Sequence, residues 1–168
     1  MKYLIILLSI VLFALSFYKR TVTITNQVVI NKNANLDNIF EFLINPNNIS
    51  KIHPLIINIE IINKTANSVE YYFTEKINLI GIYSMNITSK NLLSFDTNQK
   101  RVQNKVNGYL GVELNQEYKL IPNENNEFII VDEIELTCPW ILSSFTISTA
   151  DEAHKKMMVN MKNLIESS

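Results

Sequence analysis

Cysteine, histidine and glycine are scarce in this 168-residue chain, and each scarcity removes a class of function. One cysteine, Cys138, allows no intrachain disulfide, and two histidines at unrelated spacings do not complete a zinc site with it. With no histidine or cationic residue close to it in sequence, Cys138 has no support as a nucleophile. Ser143 and Ser144 lie in no G-x-S-x-G elbow. Three glycines are too few for phosphate-cradling loops or flexible linkers. A formal net charge of −1 provides no electrostatic footprint for nucleic acid. No metal, cofactor or catalytic residue is assigned, and no repeat or second domain is visible.

What is abundant is apolar sequence and asparagine. Lys2 precedes an unbroken apolar run from Tyr3 to Tyr18, followed by Lys19 and Arg20. A helix of that length covers about 24 Å, short of the roughly 30 Å hydrocarbon core of a bilayer. Residues 1–18 therefore read as a signal peptide, with Ala14-Leu15-Ser16 as the cleavage pattern, or as a short membrane anchor. Either reading directs the chain to the secretory route, secreted or lumenal, or held at a membrane through residues 3–18. Asparagine is mixed throughout with isoleucine and lysine, in the manner of a genome-wide bias. Single asparagines, and the sequons at Asn48, Asn63 and Asn86, accordingly carry little weight.

From Thr21 onward the dominant period is two. Thr21–Asn31 alternates, with Val22, Ile24, Val28 and Ile30 on one face and Asn26 interrupting it. Asn35 then caps a short helix over Leu36–Ile44, which Asn45-Pro46 ends, and a second turn through Ile49–Ile52 closes at His53-Pro54. Strands are expected at Leu55–Lys64, Val69–Ile77, Gly81–Ser89, Leu92–Thr97, Val102–Tyr109, Val112–Ile121 and Phe128–Cys138. A last helix is expected over Thr149–Ile165. Its stripe includes Ala150, Ala153, His154, Met157, Met158 and Met161, and Thr149 with Glu152 forms a capping box. One long amphipathic helix after a run of strands has to bury its stripe on the sheet.

The opening VTITNQVVINKNANLDNIFEFLINPNNISKIHP and the closing DEAHKKMMVNMKNLIE resemble the START-like, or SRPBCC, helix-grip superfamily. That superfamily includes polyketide cyclases and dehydrases, coenzyme Q-binding proteins and pollen-allergen-type proteins. The resemblance covers Thr21–Glu166 and is carried by a strand, two short capped helices and the closing amphipathic helix. It implies an α+β helix-grip fold over residues 21–168, with a curved antiparallel sheet of about seven strands wrapped on a long C-terminal helix. It also implies that the first strand pairs with the last, and that a cavity between sheet and helix takes an apolar ligand.

Candidate ligand-binding residues follow. Asn26, Glu75, Gln116 and Asp132 break otherwise apolar strand faces, as a polar belt for a ligand's head group or as residues that satisfy one another. Tyr71, Phe73, Tyr83, Met85 and Tyr118, with Met157, Met158 and Met161, would hold the apolar body; flexible thioethers suit a wall that adapts to different shapes. His154 on the helix stripe is a packed core residue or a partner for Asp132 or Glu75. His53 reads as part of a turn fixed by Pro54. The leading reading is binding, and transport, of a lipid or other small hydrophobic molecule. Its alternatives are a cyclase- or hydratase-type enzyme using Asp132, Glu75 and His154, and a protein-interaction module of the same fold.

Overall fold

A computed structural model of the chain describes residue 6 and residues 18–30, 35–79, 83–123 and 127–167. Apart from Ile6 and Tyr18, the run at residues 1–18, on which the signal-peptide and anchor readings fall, lies outside the described residues. Among the described residues, no helix is long and apolar enough to cross a membrane.

Seven strands form one antiparallel sheet: β1 (Lys19–Ile30), β2 (Ile56–Lys64), β3 (Ser68–Leu79), β4 (Tyr83–Asp96), β5 (Arg101–Asn107), β6 (Glu113–Pro122) and β7 (Phe128–Pro139). Their spatial order is β1-β7-β6-β5-β4-β3-β2, a meander whose last strand pairs with the first. Two short helices, α1 (Leu36–Leu43) and α2 (Pro46–Ile52), link β1 to β2, and the long helix α3 (Ser143–Glu166) closes the chain. This is the helix-grip architecture. Register shifts in the β2–β3 pair, at Ile56/Asn58 and Ile61/Asn63, are bulges of the kind that bend a sheet's edge.

Local chemistry sets the helix boundaries. Asn35 Oδ1 accepts the Asp37 amide at 2.8 Å and Asn45 Oδ1 the Asn47 amide at 3.1 Å, so each short helix has its own asparagine cap. Pro46 ends α1 and, needing no amide partner at a first helical position, opens α2 at once. The expected capping box at Thr149 and Glu152 is not a helix start. α3 begins six residues earlier, at Ser143, because a 3₁₀ turn over Trp140–Leu142 leads straight into it, and its first residue has no side-chain cap. Glu152 instead pairs with Lys156 one turn on. The strands expected at Gly81–Ser89 and Leu92–Thr97 are one continuous strand, β4. Lys90 and Asn91 lie mid-strand, paired to Tyr72 and Tyr71 on one side and to Asn107 and Val106 on the other.

The interior is divided. A large apolar core joins α1, α2 and the far end of α3 to the sheet through Ile30, Phe40, Leu93, Val102, Ile130, Met158 and Met161. A smaller cluster, Ile24, Ile134 and Leu136, packs with Leu114, Ile147 and Ala150 near the start of α3. Polar side chains separate the two. The outer face of the sheet is charged, with cross-strand pairs such as Lys19–Glu113, Lys90–Glu70, Arg101–Glu117 and Lys119–Glu133; such exposed pairs add little stability each.

Candidate ligand cavity

Strand alternation brings polar side chains from six strands onto the concave face. Asn26 lies opposite Asp132 in the β1–β7 register, Asn104 opposite Gln116 in β5–β6, and Tyr71 opposite Asn91 in β3–β4. A polar belt therefore crosses six strands. Asp132 is its anchor, with no exposed surface, and accepts at both oxygens. Gln116 Nε2 donates to Oδ1 at 2.6 Å and His154 Nδ1 to Oδ2 at 2.8 Å. Gln116 Oε1 accepts from Asn104 Nδ2 at 2.9 Å, and Asn104 Oδ1 from Asn91 Nδ2 at 3.2 Å. Asn91 Nδ2 also reaches the Tyr71 hydroxyl at 2.5 Å. Tyr118 accepts from Gln116 at 2.9 Å and donates to Met157 Sδ at 3.6 Å. Buried amides are costly unless partnered, and this belt partners nearly all of them.

Gln116 has two amide hydrogens, which go to Asp132 and Tyr118. The 3.4 Å approach of its nitrogen to His154 Nδ1 is thus a contact between donors, which places the His154 proton on Nδ1, toward Asp132. His154 Nε2 has no hydrogen-bond partner among the described residues. The His53 ring stands edge-on to His154 with centroids 5.5 Å apart, and its Nδ1 lies 4.0 Å from Glu75 Oε1. Burial, helped by the neighbouring His154, pulls the His53 pKa from 6.5 down to about 3, so the ring is neutral. Burial pushes the Glu75 carboxyl above its ordinary value, against an opposing pull from His154, and pushes the Tyr71 and Tyr118 hydroxyls up as well.

Above the belt, between α3 and the curved sheet, lies a cavity of about 330 Å³. Its walls are apolar: Phe73, Ile77, Met85, Ile87, Val106, Leu114 and Leu136 from the sheet, and Phe145, Ala150, Ala153 and Met157 from α3. Leu55 and Ile56 close one side, and Tyr109 and Leu110 in the β5–β6 connection stand at another. Leu110 is held there at φ 54, an unusual left-handed conformation for a leucine, and is mostly exposed. The volume is at the small end of ligand pockets.

The residues singled out in the sequence divide into two groups. Tyr71, Phe73, Glu75, Met85, Gln116, Tyr118, His154 and Met157 all line this cavity. The others do not. Tyr83 begins β4, where the β3–β4 hairpin runs past the end of β5, and is 66% exposed. Met158 and Met161 fill the closed apolar core, because the helical period carries them beyond the cavity's end. Asp132 lies behind Gln116 and His154, while Asn26 is buried opposite it with Nδ2 unpartnered. Lining residues that were missed include three polar ones of the belt and its surroundings: His53, read as a turn residue, and Asn91 and Asn104, discounted with the other asparagines. The period-two pattern held the signal for the last two, since both occupy inward positions, but β4 had been divided at Asn91. Cys138 is buried and unpaired, and among the described residues no group of three His, Cys, Asp or Glu side chains is placed to hold a metal.

No protein-family model matches the chain, and no curated protein matches it in sequence. Solved structures do. The Zhui aromatase/cyclase from a Streptomyces species superposes with a TM-score of 0.71 at 13% identity, over 89% of this chain and 94% of that one. A START superfamily protein from Mycobacterium smegmatis gives 0.67 at 9% identity, over 86% and 97%. The fold is START-like. Norcoclaurine synthase from Thalictrum flavum, solved with dopamine and hydroxybenzaldehyde, gives 0.65 at 15% identity over 89% and 88%. At these identities the START-like likeness is one of architecture alone.

Proposed function

We propose that this START-like chain binds one small, largely apolar molecule in the cavity between the sheet and α3. The observation that carries the reading is the cavity itself, an apolar space of about 330 Å³ laid over buried polar atoms, two of which, Asn91 Oδ1 and His53 Nδ1, have no hydrogen-bond partner among the described residues. The norcoclaurine synthase structure, of like fold and solved with dopamine and hydroxybenzaldehyde, supports it. Ala153 lines the cavity from α3, so Ala153→Trp should fill it. A polarity-sensitive dye should bind the wild type one to one and fail to bind the folded variant. Equal uptake by both would overturn the proposal.

A second reading, a proton-transferring enzyme of cyclase type, has one specific observation behind it. Asp132 orients His154 so that an unpartnered Nε2 is left on a cavity-lining ring, the arrangement of a general base held by a carboxylate. Conversion of a bound ligand by wild type, lost in His154→Gln while binding persists, would support it. Binding without conversion would leave the protein a carrier.

The route through the secretory pathway or to a membrane, by way of residues 3–18, is likewise a proposal. Beyond the apolar run itself, it is supported by exposed Trp140 and Ile141 beside Tyr18, whose carbonyl accepts the Trp140 amide at 2.7 Å. N-terminal sequencing of the mature protein tests cleavage.

A further inference from the structure

The hydrogen bonds that link the belt's amides to one another and to Asp132 all run in one direction, and that direction determines what the free end can bind. Asp132 only accepts, so Gln116 turns its nitrogen to Asp132 and its oxygen to Asn104. Asn104 therefore turns its oxygen to Asn91, and Asn91 presents its nitrogen. Reversing any one of these amides would set two acceptors or two donors against each other. The polarity imposed at β7 is thus transmitted across β6, β5 and β4 to β3.

The chain ends with two unmet requirements. Asn91 Oδ1 is buried with no donor, and the Tyr71 hydroxyl, which accepts from Asn91, has no acceptor for its own proton among the described residues. Both residues line the cavity and are almost wholly buried. One chemical group, a hydroxyl, donates and accepts at once. A carboxylate only accepts, so it faces Asn91 Oδ1 with like polarity. Among the described residues no lysine or arginine lines the cavity to neutralise a carboxylate; of its two imidazoles, His53 is neutral and His154 already faces the Asp132 carboxylate. A plain hydrocarbon leaves both requirements unmet.

We propose that the ligand of this cavity carries an uncharged hydroxyl, alcoholic or phenolic, that donates to Asn91 Oδ1 and accepts from the Tyr71 hydroxyl. At ~30 Å³ for each water-sized unit, 330 Å³ holds an apolar body of roughly a dozen non-hydrogen atoms. The inference rests on the cavity being a binding site, and the test separates the two claims.

Dodecanol, dodecanoate and dodecane share one body and differ only at the head. Each would be titrated at neutral pH against a polarity-sensitive dye bound to the full chain. Two modest hydrogen bonds predict that dodecanol displaces the dye at about a tenth of the concentration needed for either of the others. Asn91→Leu, with folding checked by its unfolding midpoint, should remove the advantage of dodecanol over dodecane while leaving dodecane binding in place. Tyr71→Phe should remove part of it. Dodecanoate binding as tightly as dodecanol overturns the hydroxyl inference alone, as does an unchanged preference in folded Asn91→Leu. If the dye binds but none of the three displaces it, or if the dye does not bind, the cavity reading fails with it.

Discussion

His53 should make this fold sensitive to acid in a calculable way. In the folded protein its pKa is depressed to about 3 from 6.5, because the buried ring gains nothing from charging. The unfolded chain takes up a proton as pH falls through 6.5, and the folded chain does not until about pH 3. Stability from this residue is therefore complete above the unfolded pKa and is lost progressively as pH falls toward the folded one. Between neutral pH and pH 5 the loss is about 2 kcal/mol. Glu75 acts with the opposite sign: its raised pKa lets the folded state take up a proton earlier, which favours the fold as pH falls toward 4.5. His53 is not among the causes of the Glu75 shift, so comparing wild type with His53→Leu isolates the histidine. Urea unfolding at a series of pH values is the assay. The stability of wild type minus that of His53→Leu should shrink by about 2 kcal/mol on going from neutral pH to pH 5. A difference constant with pH would mean that the His53 ring titrates with an ordinary pKa in the fold, contrary to its burial.

Three further outcomes are expected. Met157→Ala and Met161→Ala should each cost about 2–4 kcal/mol, but only Met157→Ala should widen the range of ligand sizes accepted, because Met161 does not touch the cavity; ligand-displacement titrations on both variants check this. Asp132→Leu strips the acceptor from both Gln116 and His154, so it should destabilise the fold by several kcal/mol and remove any preference for a polar head, as read by urea unfolding and dye displacement. Asn35→Ala removes the α1 cap and should cost about 1 kcal/mol in thermal unfolding while leaving ligand binding unchanged.

The strands and short helices were legible because their signals are local. Period-two alternation marked β1, β6 and β7 closely, and Asn35 marked the start of α1 where it occurs. The α3 start was misplaced because the Thr149–Glu152 spacing matches a capping box by chance, while the true start relies on a 3₁₀ turn with no cap residue to read. The alignment of Asn26, Gln116 and Asp132 on neighbouring strands followed from the expected pairing of β1 with β7 and β7 with β6. What could not be read was depth along the cavity. Met157 and Met158 are neighbours on one helical stripe, yet one is cavity wall and the other closed core, a difference set by where α1 and α2 fill the interior. Likewise Tyr83 and Met85 share a strand face, but only Met85 is covered, since the hairpin projects beyond its neighbours. His53 entered the site only through the chain's return from α2 to β2, a tertiary placement with no periodic trace.

The most direct test of the central claim is native mass spectrometry of the protein as expressed, followed by extraction and identification of whatever is retained. One bound organic molecule per chain is expected, largely apolar and small enough for a cavity of about 330 Å³, and absent from Ala153→Trp. A chain that carries nothing, and takes up neither the dye nor dodecanol when these are supplied, would contradict it.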